Sequence, residues 1–452
     1  MSSFSEQFAR IVEDGPPVIA EVFGDDLDAR WVEEACLKAK QHTIRLRQFP
    51  SDVVVWLVIA MALWRDTAIV DLARRLGISA SRTNWGRAKA ASSSVTEARQ
   101  RLGAKPLEVL FSIAASYWLD LLGPHERLFH GRRVFALDGT TVMVPDTEEN
   151  RRDFGGPSNQ HGASGYPVVR VMVLLATGSH LVVDAAMAGY SGKGTGEQTL
   201  AQGMAAGLPD RSVVLFDAGL FNCFELWKHQ SRGPGRDWLG RIKVNLTYIV
   251  IETLGPGDER ARFKVPASVR REHPEMPQWL EVRVLTGRDS KKKVMRLMTT
   301  LLDPAEYPAE ELWTLFSERW EVELGNREVK TYLLERSDPL RSKTPDGVRQ
   351  ELWGILLAYD LIRYRMARAA SRVGLEGRRL SFKSALWNIN VFCAAVAWMV
   401  EPTDLPSQLE RLDRLLAEDV LPARRKKAPQ PRAVKGRKKL YPIKRKGSAS
   451  PA

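Results

Sequence analysis

The hydrophobic period of this chain changes twice, and that change limits the possible folds more than any single residue does. Up to about residue 125, apolar side chains recur at helical spacing between breakers, in Trp31 to Gln48, Asp52 to Trp64, Ala68 to Leu76 and Val95 to Leu102. From Arg133 they gather instead into short β-rich runs: Val134 to Leu137, Thr140 to Val144, Val168 to Ala176, Leu181 to Ala186 and Val213 to Phe216. Between the last two, Thr195 to Gln198 has the spacing of a capping box and predicts a helix. Strand-like pieces then dominate Asp237 to Thr300, at Ile242 to Val244, Thr247 to Glu252, Trp279 to Leu285 and Val294 to Leu301. Helical spacing returns at Pro308 to Leu334, Asp346 to Ala370 and Phe382 to Val400. The pattern predicts an α/β layer with a β-rich block set inside it and helices at both ends.

Composition removes several classes. With 452 residues, 44% hydrophobic and 27% charged, the chain has the length and apolar content for a packed core. The longest apolar run, Val53 to Trp64, is 12 residues, short of the roughly 18 that a bilayer-spanning helix needs. No membrane partner is expected. Met1 to Pro17 carries Glu6, Glu13 and Asp14 without an apolar core, so a cytoplasmic location is expected. Cys36, Cys223 and Cys393 are far apart and odd in number, which argues against a disulfide framework or a thiolate zinc site.

Charge is concentrated at one end. After Asp419 there is no acidic residue but 12 cations, from Arg424 to Lys446, and subtracting them from the formal +13 leaves +1 for the rest. A basic, Pro-punctuated tail on a near-neutral body is suited to gripping a polyanion, because neutralising phosphates releases counterions without requiring a fold. In Asp71 to Ser81, Ala73 stands four residues before Gly77, as in a helix-turn-helix; an ordinary helical hairpin fits the same residues.

Three acids are placed where chemistry can use them. Asp138 ends the run VFALD and Asp217 ends VVLFD, and charges in apolar strands are costly unless paired or bound to a metal. Taken singly, each also reads as a cap of the following turn. The third is Glu323, in LFSERWEVELGNREVK. On a regular helix Phe316, Arg319, Glu323 and Lys330 project at about 0°, −60°, −20° and −40°, one narrow stripe. That stripe reads either as a metal ligand flanked by phosphate-binding cations or as a solvated row of ion pairs. His125, His130 and His161 match no metal spacing. Glu197 is open as a fourth acid or as a partner of a helix dipole, and Lys291 to Lys293 as a DNA contact or a solvated turn.

Acid on a strand, acid on a later strand, β-rich insertion, acid on a helix: this order resembles the ribonuclease-H-like catalytic domain of DDE transposases. The insertion-sequence-four family is marked by Tyr-x2-Arg-x3-Glu-x6-Lys, and Phe316, Arg319, Glu323 and Lys330 occupy those spacings. Asp138 in LDGT and Asp217 in LFDAG match the first two aspartates, and the resemblance runs from about residue 30 to 400. Phe316 replaces the usual tyrosine, Ala218 stands where relatives often place an arginine, and KKKVMRLMTT lacks the tryptophan that some relatives stack on a flipped base.

The resemblance implies an α/β fold in which a ribonuclease-H-like domain is interrupted by a β-rich insertion. Its parts would be a helical DNA-binding region at 1–125, catalytic domain at 126–236, insertion at 237–303, the rest of the catalytic domain with C-terminal helices at 304–400, and a linker with basic tail at 401–452. It further implies that Asp138, Asp217 and Glu323 are catalytic and hold two Mg²⁺ ions, with Mn²⁺ able to substitute, and that Phe316, Arg319 and Lys330 bind DNA. The partner is then double-stranded DNA, transposon ends and target, held by a homodimer at the bacterial nucleoid. The activity is cleavage at terminal inverted repeats followed by strand transfer. Rival readings are a catalytically silent transposase-derived DNA-binding protein and a general metal-dependent nuclease.

Overall fold

The structure, a computed structural model, describes residues 18–41, 50–75, 92–159, 162–163, 165–288, 292–334, 339–399 and 404–422. Its centre is one large sheet. The main strands are β1 (Arg132–Met143), β2 (Val168–Ala176), β3 (Val182–Gly189), β4 (Ser212–Phe216), β5 (Arg236–Ile242), β6 (Ile249–Gly255), β7 (Asp258–Lys264), β8 (Trp279–Arg288) and β9 (Val294–Thr299), in the order β3-β2-β1-β4-β5-β9-β8-β7-β6. The two-residue strand Leu128–Phe129 pairs with the start of β1. β4 runs parallel to β1 and β5 parallel to β4, whereas every other neighbouring pair along this order is antiparallel.

Near-continuous apolar sequence in β2, in β4 and in the Val134–Ala136 stretch of β1 follows from burial on both faces. Along β1, Val134 and Ala136 enter one core and Phe135 the other; along β4, Val213 and Leu215 oppose Val214 and Phe216 in the same way. The larger core is closed by α1 (Val18–Phe23), α2 (Ala29–Lys38), α3 (Ser51–Leu63), α4 (Ile69–Arg75), α5 (Ser92–Leu102) and α6 (Lys105–Leu122), together with helices late in the chain. α3 is buried from Val54 to Leu63, as a helix apolar all round must be. Among the described residues no helix is long and apolar enough to cross a membrane.

α7 (Glu148–Phe154), α8 (Glu197–Leu200), α9 (Cys223–Ser231) and α10 (Ala267–Glu272) are short. Then come α11 (Ala309–Ser317), α12 (Trp320–Glu328), a π-helical turn at Val329–Leu333, α13 (Pro345–Ser371), α14 (Phe382–Met399) and α15 (Leu405–Glu418). α13 begins with Pro345 at its first position and Thr344 at its cap, whose hydroxyl accepts from Gly347 N at 3.3 Å. Its buried residues share the larger core with α3 and α6, so the N-terminal helices and the late helices close one apolar volume.

Three local expectations change. The strand predicted at Ile242 to Val244 is displaced: β5 runs from Arg236 to Ile242, ends where that prediction begins and pairs in parallel with β4; the boundary at 237 cuts it, and the antiparallel extension starts at Ile249. Thr195 does not cap a helix: Gly196 is the cap residue, and the Thr195 hydroxyl turns back to Gly192 O at 3.0 Å. The helix predicted across Pro308 to Leu334 is broken at Glu318 and Arg319, where i to i−3 bonds tighten the chain, and it ends in the π turn.

Candidate active site

The site begins with strand register. β1 and β4 pair from Arg133 with Ser212 to Ala136 with Leu215, so two further residues bring Asp138 and Asp217 to one level, on neighbouring strands about 4.8 Å apart. Ala136 and Leu215 face the larger core, and with a period of two so do both aspartates. β4 and β5 pair up to Phe216 with Gly240, which puts Arg241 next to Asp217. Arg241 Nη1 lies 3.9 Å from Asp217 Oδ1, both side chains about half exposed. Asp217 also accepts from Ala218 N at 2.8 Å, and so caps the turn that ends its strand. Sequence reasoning does not single out Arg241, because the parallel pairing that brings it here is absent from local pattern. It supplies a cation beside Asp217 from the next strand, where Ala218 supplies none.

Glu323 comes from α12, which packs on β1 and β2 from the larger-core side. Its Oε1 accepts from Arg319 Nη2 at 2.8 Å. Arg319 is 9% exposed, and its guanidinium lies 6.0 Å from the centre of the Phe316 ring and 5.5 Å from that of Trp320. Burial pushes the Asp138 carboxyl up; the Gly139 amide and Arg319 oppose this, and the negative charges of Glu323 and Glu197 add to it. Burial pushes the Lys330 amine down, and Asp138 acts against that. These couplings bring Asp138, Glu323, Arg319 and Lys330 into one electrostatic neighbourhood.

The stripe of Phe316, Arg319, Glu323 and Lys330 does not arise from one regular helix. Phe316 belongs to α11, Arg319 to the break, Glu323 to α12 and Lys330 to the π turn. The ion pair of Arg319 with Glu323 survives because the break keeps right-handed helical dihedrals.

Glu197 stands close by. A Cβ on Gly139 would lie 3.0 Å from Glu197 Cδ and 2.8 Å from Met172 Sδ, so glycine is what lets this acid approach the strand beside Asp138. His130 pairs with Glu311 at 2.8 Å, and His125 lies in the one-turn helix Gly123–His125. His161, Lys291, the Leu76 to Ser81 half of the helix-turn-helix pattern and the basic tail lie outside the described residues.

Among the described residues, no three His, Cys, Asp or Glu side chains converge closely enough to hold a metal ion. The donor chemistry nevertheless fits a hard divalent cation: the acids offer only carboxylate oxygens, and Asp138 is half-buried beside other negative charge that a cation would relieve.

Comparisons with known proteins identify the chain's relatives. Residues 17–112 match the family described as insertion element 4 transposase N-terminal, and residues 129–361 match the transposase DDE domain. The chain is 32% identical over 436 residues, 95% of each chain, to transposase InsG for insertion sequence element IS4 of Escherichia coli (strain K12). A solved piggyBac transposase synaptic complex with hairpin DNA aligns with 89% of this chain and 86% of that one at 8% identity and TM-score 0.45, a likeness too loose to bear on the fold.

Proposed function

Because the chain belongs to the insertion-element-4 family of DDE transposases, we propose that it binds the terminal inverted repeats of its element, cuts there, and joins the freed 3′ ends to target DNA. The observation that carries this reading is the parallel register of β1 and β4, which supports Asp138 and Asp217 acting as a pair on the sheet face against which α12, the helix that carries Glu323, packs. The order β3-β2-β1-β4-β5, with β2 and β3 antiparallel and β4 and β5 parallel to β1, supports a ribonuclease-H-like core, with β6 to β9 as its insertion. We keep residues 1–125 as the region that helps hold the ends, and a homodimer at the nucleoid as the form that pairs them.

Asp138, Asp217 and Glu323 would hold the two Mg²⁺ ions, or Mn²⁺ in their place. When bound, such ions supply Lewis acidity to the attacking and leaving oxygens of an in-line displacement at phosphorus. The protein residues do the rest by charge and position. Arg319 holds the Glu323 carboxylate by its 2.8 Å bond and keeps a buried positive charge beside it. Lys330 and Arg241 flank the carboxylates with cations suited to the DNA backbone. Phe316 shields the Arg319 guanidinium, which lies 6.0 Å from its ring centre. Cleavage breaks the P–O3′ bond as water attacks phosphorus, leaving a 3′-hydroxyl and a 5′-phosphate; transfer repeats the displacement with that hydroxyl as nucleophile. The protein forms no covalent bond to DNA.

Glu323→Gln tests the reading. The variant should bind end DNA as the wild type does and lose both cleavage and strand transfer; a variant that still joins ends to target would remove Glu323 from the chemistry.

A further inference from the structure

The helix that carries Glu323 has a second charged face, turned inward. On α12, Glu321 and Glu328 are about 20° apart around the axis, and Glu323 is roughly opposite them. Glu321 is 3% exposed, and its Oε2 lies 2.8 Å from Nε2 of His180, itself 2% exposed. The other ring nitrogen, Nδ1, is 3.6 Å from Glu328 Oε2. Glu328 also bonds Arg363 of α13 and accepts from the Tyr359 hydroxyl at 3.0 Å. At the break before α12, Glu318 is held by Arg127 at 3.1 Å and Arg378 at 3.3 Å, and Arg378 reaches Glu321 at 3.8 Å. The backbone of Arg378 in turn bonds Gly178 O at 2.9 Å.

His180 occupies the turn joining β2 to β3, in the left-handed region at φ 67°. Together with Thr177, whose hydroxyl donates to Glu318 at 3.4 Å, it ties this face to the sheet hairpin paired with the Asp138 strand, since Asp138 pairs with Val173 of β2. Burying this many charges is expensive, and a wholly apolar packing would hold a helix against a sheet with less desolvation. What charges add is direction: a ring bonded to Glu321, with Glu328 3.6 Å from its other nitrogen, fixes both the rotation and the axial position of the helix that carries the two acids. Burial alone would raise the Glu328 carboxyl, but Arg363 and His180 outweigh it and hold it down to about 2, so this acid stays ionised.

We propose that His180 is a positioning residue for Glu323: by bonding Glu321 and lying against Glu328 on the inner face of α12, it sets where the outer face presents Glu323 relative to Asp138. The inference rests on the transposase reading. It is tested in the full chain with His180→Leu and His180→Gln, following cleavage of a labelled end duplex across a Mg²⁺ titration, end binding in EDTA, and urea denaturation. His180→Leu should cleave at least about tenfold more slowly, because small displacements of a reacting group are costly, and should need more Mg²⁺ for half-maximal rate. Its end binding should stay within about twofold of wild type, and His180→Gln, which keeps a donor toward Glu321, should recover most of the rate.

Wild-type rate and Mg²⁺ dependence in folded His180→Leu would overturn the proposal, as would a loss of rate that only follows the loss of folded protein. If His180→Leu does not fold, Arg378→Gln, at a more exposed partner of the same face, decides on the same two readouts. Failure of the wild type itself to cleave would count against the transposase reading, whereas cleavage matched by the variants would count only against His180.

Discussion

Asp184 shows what burial does to a single carboxyl in this sheet. Burial pushes it up to about 6, while the Ala185 amide, bonded to its Oδ1 at 2.8 Å, acts in the opposite direction. The unfolded chain releases this proton near 3.8 and the folded chain near 6, so folding is favoured by this group below the first value and loses that advantage as pH rises through the second. Asp184→Asn keeps the bond to Ala185 and removes the charge. It should therefore stabilise the protein by about 1–2 kcal/mol at pH 8, after allowance for partial exposure, and by much less at pH 4.5. Urea midpoints at the two pH values measure the difference; equal effects at both would mean that Asp184 is not desolvated. Arg319→Ala acts at the same scale, freeing Glu323 from its 2.8 Å partner. Cleavage should fall at least about tenfold with end binding less affected, and a variant losing binding in equal measure would make Arg319 a DNA contact before an orienting group.

Elements decide how these side chains meet. α12 can lie against β2 because Gly325 has no side chain: a Cβ there would be 2.7 Å from Leu175 Cδ1 and 3.1 Å from the Tyr359 hydroxyl. Gly325→Ala gains about 1 kcal/mol of helix propensity yet should destabilise the protein, because overpacking costs about 1–3 kcal/mol. It should also slow cleavage more than that loss accounts for, as Glu323 moves with the helix; a variant more stable than wild type and fully active would show that α12 has room to shift. Local sequence disclosed strands and helices here well, since period and breakers are local: VFALD lies within β1, VVLF closes β4, and Asp346 to Ala370 lies within α13. It failed where tertiary packing overrides the local rule. The stripe through Phe316 and Lys330 assumed one regular helix, whereas packing of Glu318 among Arg127 and Arg378 accompanies a break, and Thr195 lost its cap to the Gly192 turn. Sequence reasoning passed over the inner acids Glu321 and Glu328: their i, i+7 spacing puts them on one stripe, but only the burial of their partners distinguishes it from a solvated face.

Across the whole molecule, sequence order pointed to the two aspartates before any pairing was known, and register sets them side by side. Asp138, Asp217 and Arg241 are far apart in the chain and adjacent only because β1, β4 and β5 run parallel in one register; no local window contains that, which is why Arg241 was missed while the two aspartates, each closing an apolar run, were not. The charge distribution is also a whole-chain property. Removing residues 423–452 takes away the 12 cations beyond Asp419, and the plot of log K against log salt for end DNA should flatten, by about 0.9 for each phosphate that the tail neutralises. An unchanged slope would mean that the tail does not touch DNA.

The central claim is that Asp138 and its partners cut DNA at the element's own ends. A labelled duplex carrying the terminal repeat, incubated with wild type or Asp138→Ala in Mg²⁺ or in EDTA, tests it most directly. The account predicts cutting at the repeat boundary by the wild type in Mg²⁺ alone, with end binding but no cutting by Asp138→Ala. Cutting that persists in Asp138→Ala, or specific binding by the wild type with no cutting in Mg²⁺, would contradict it.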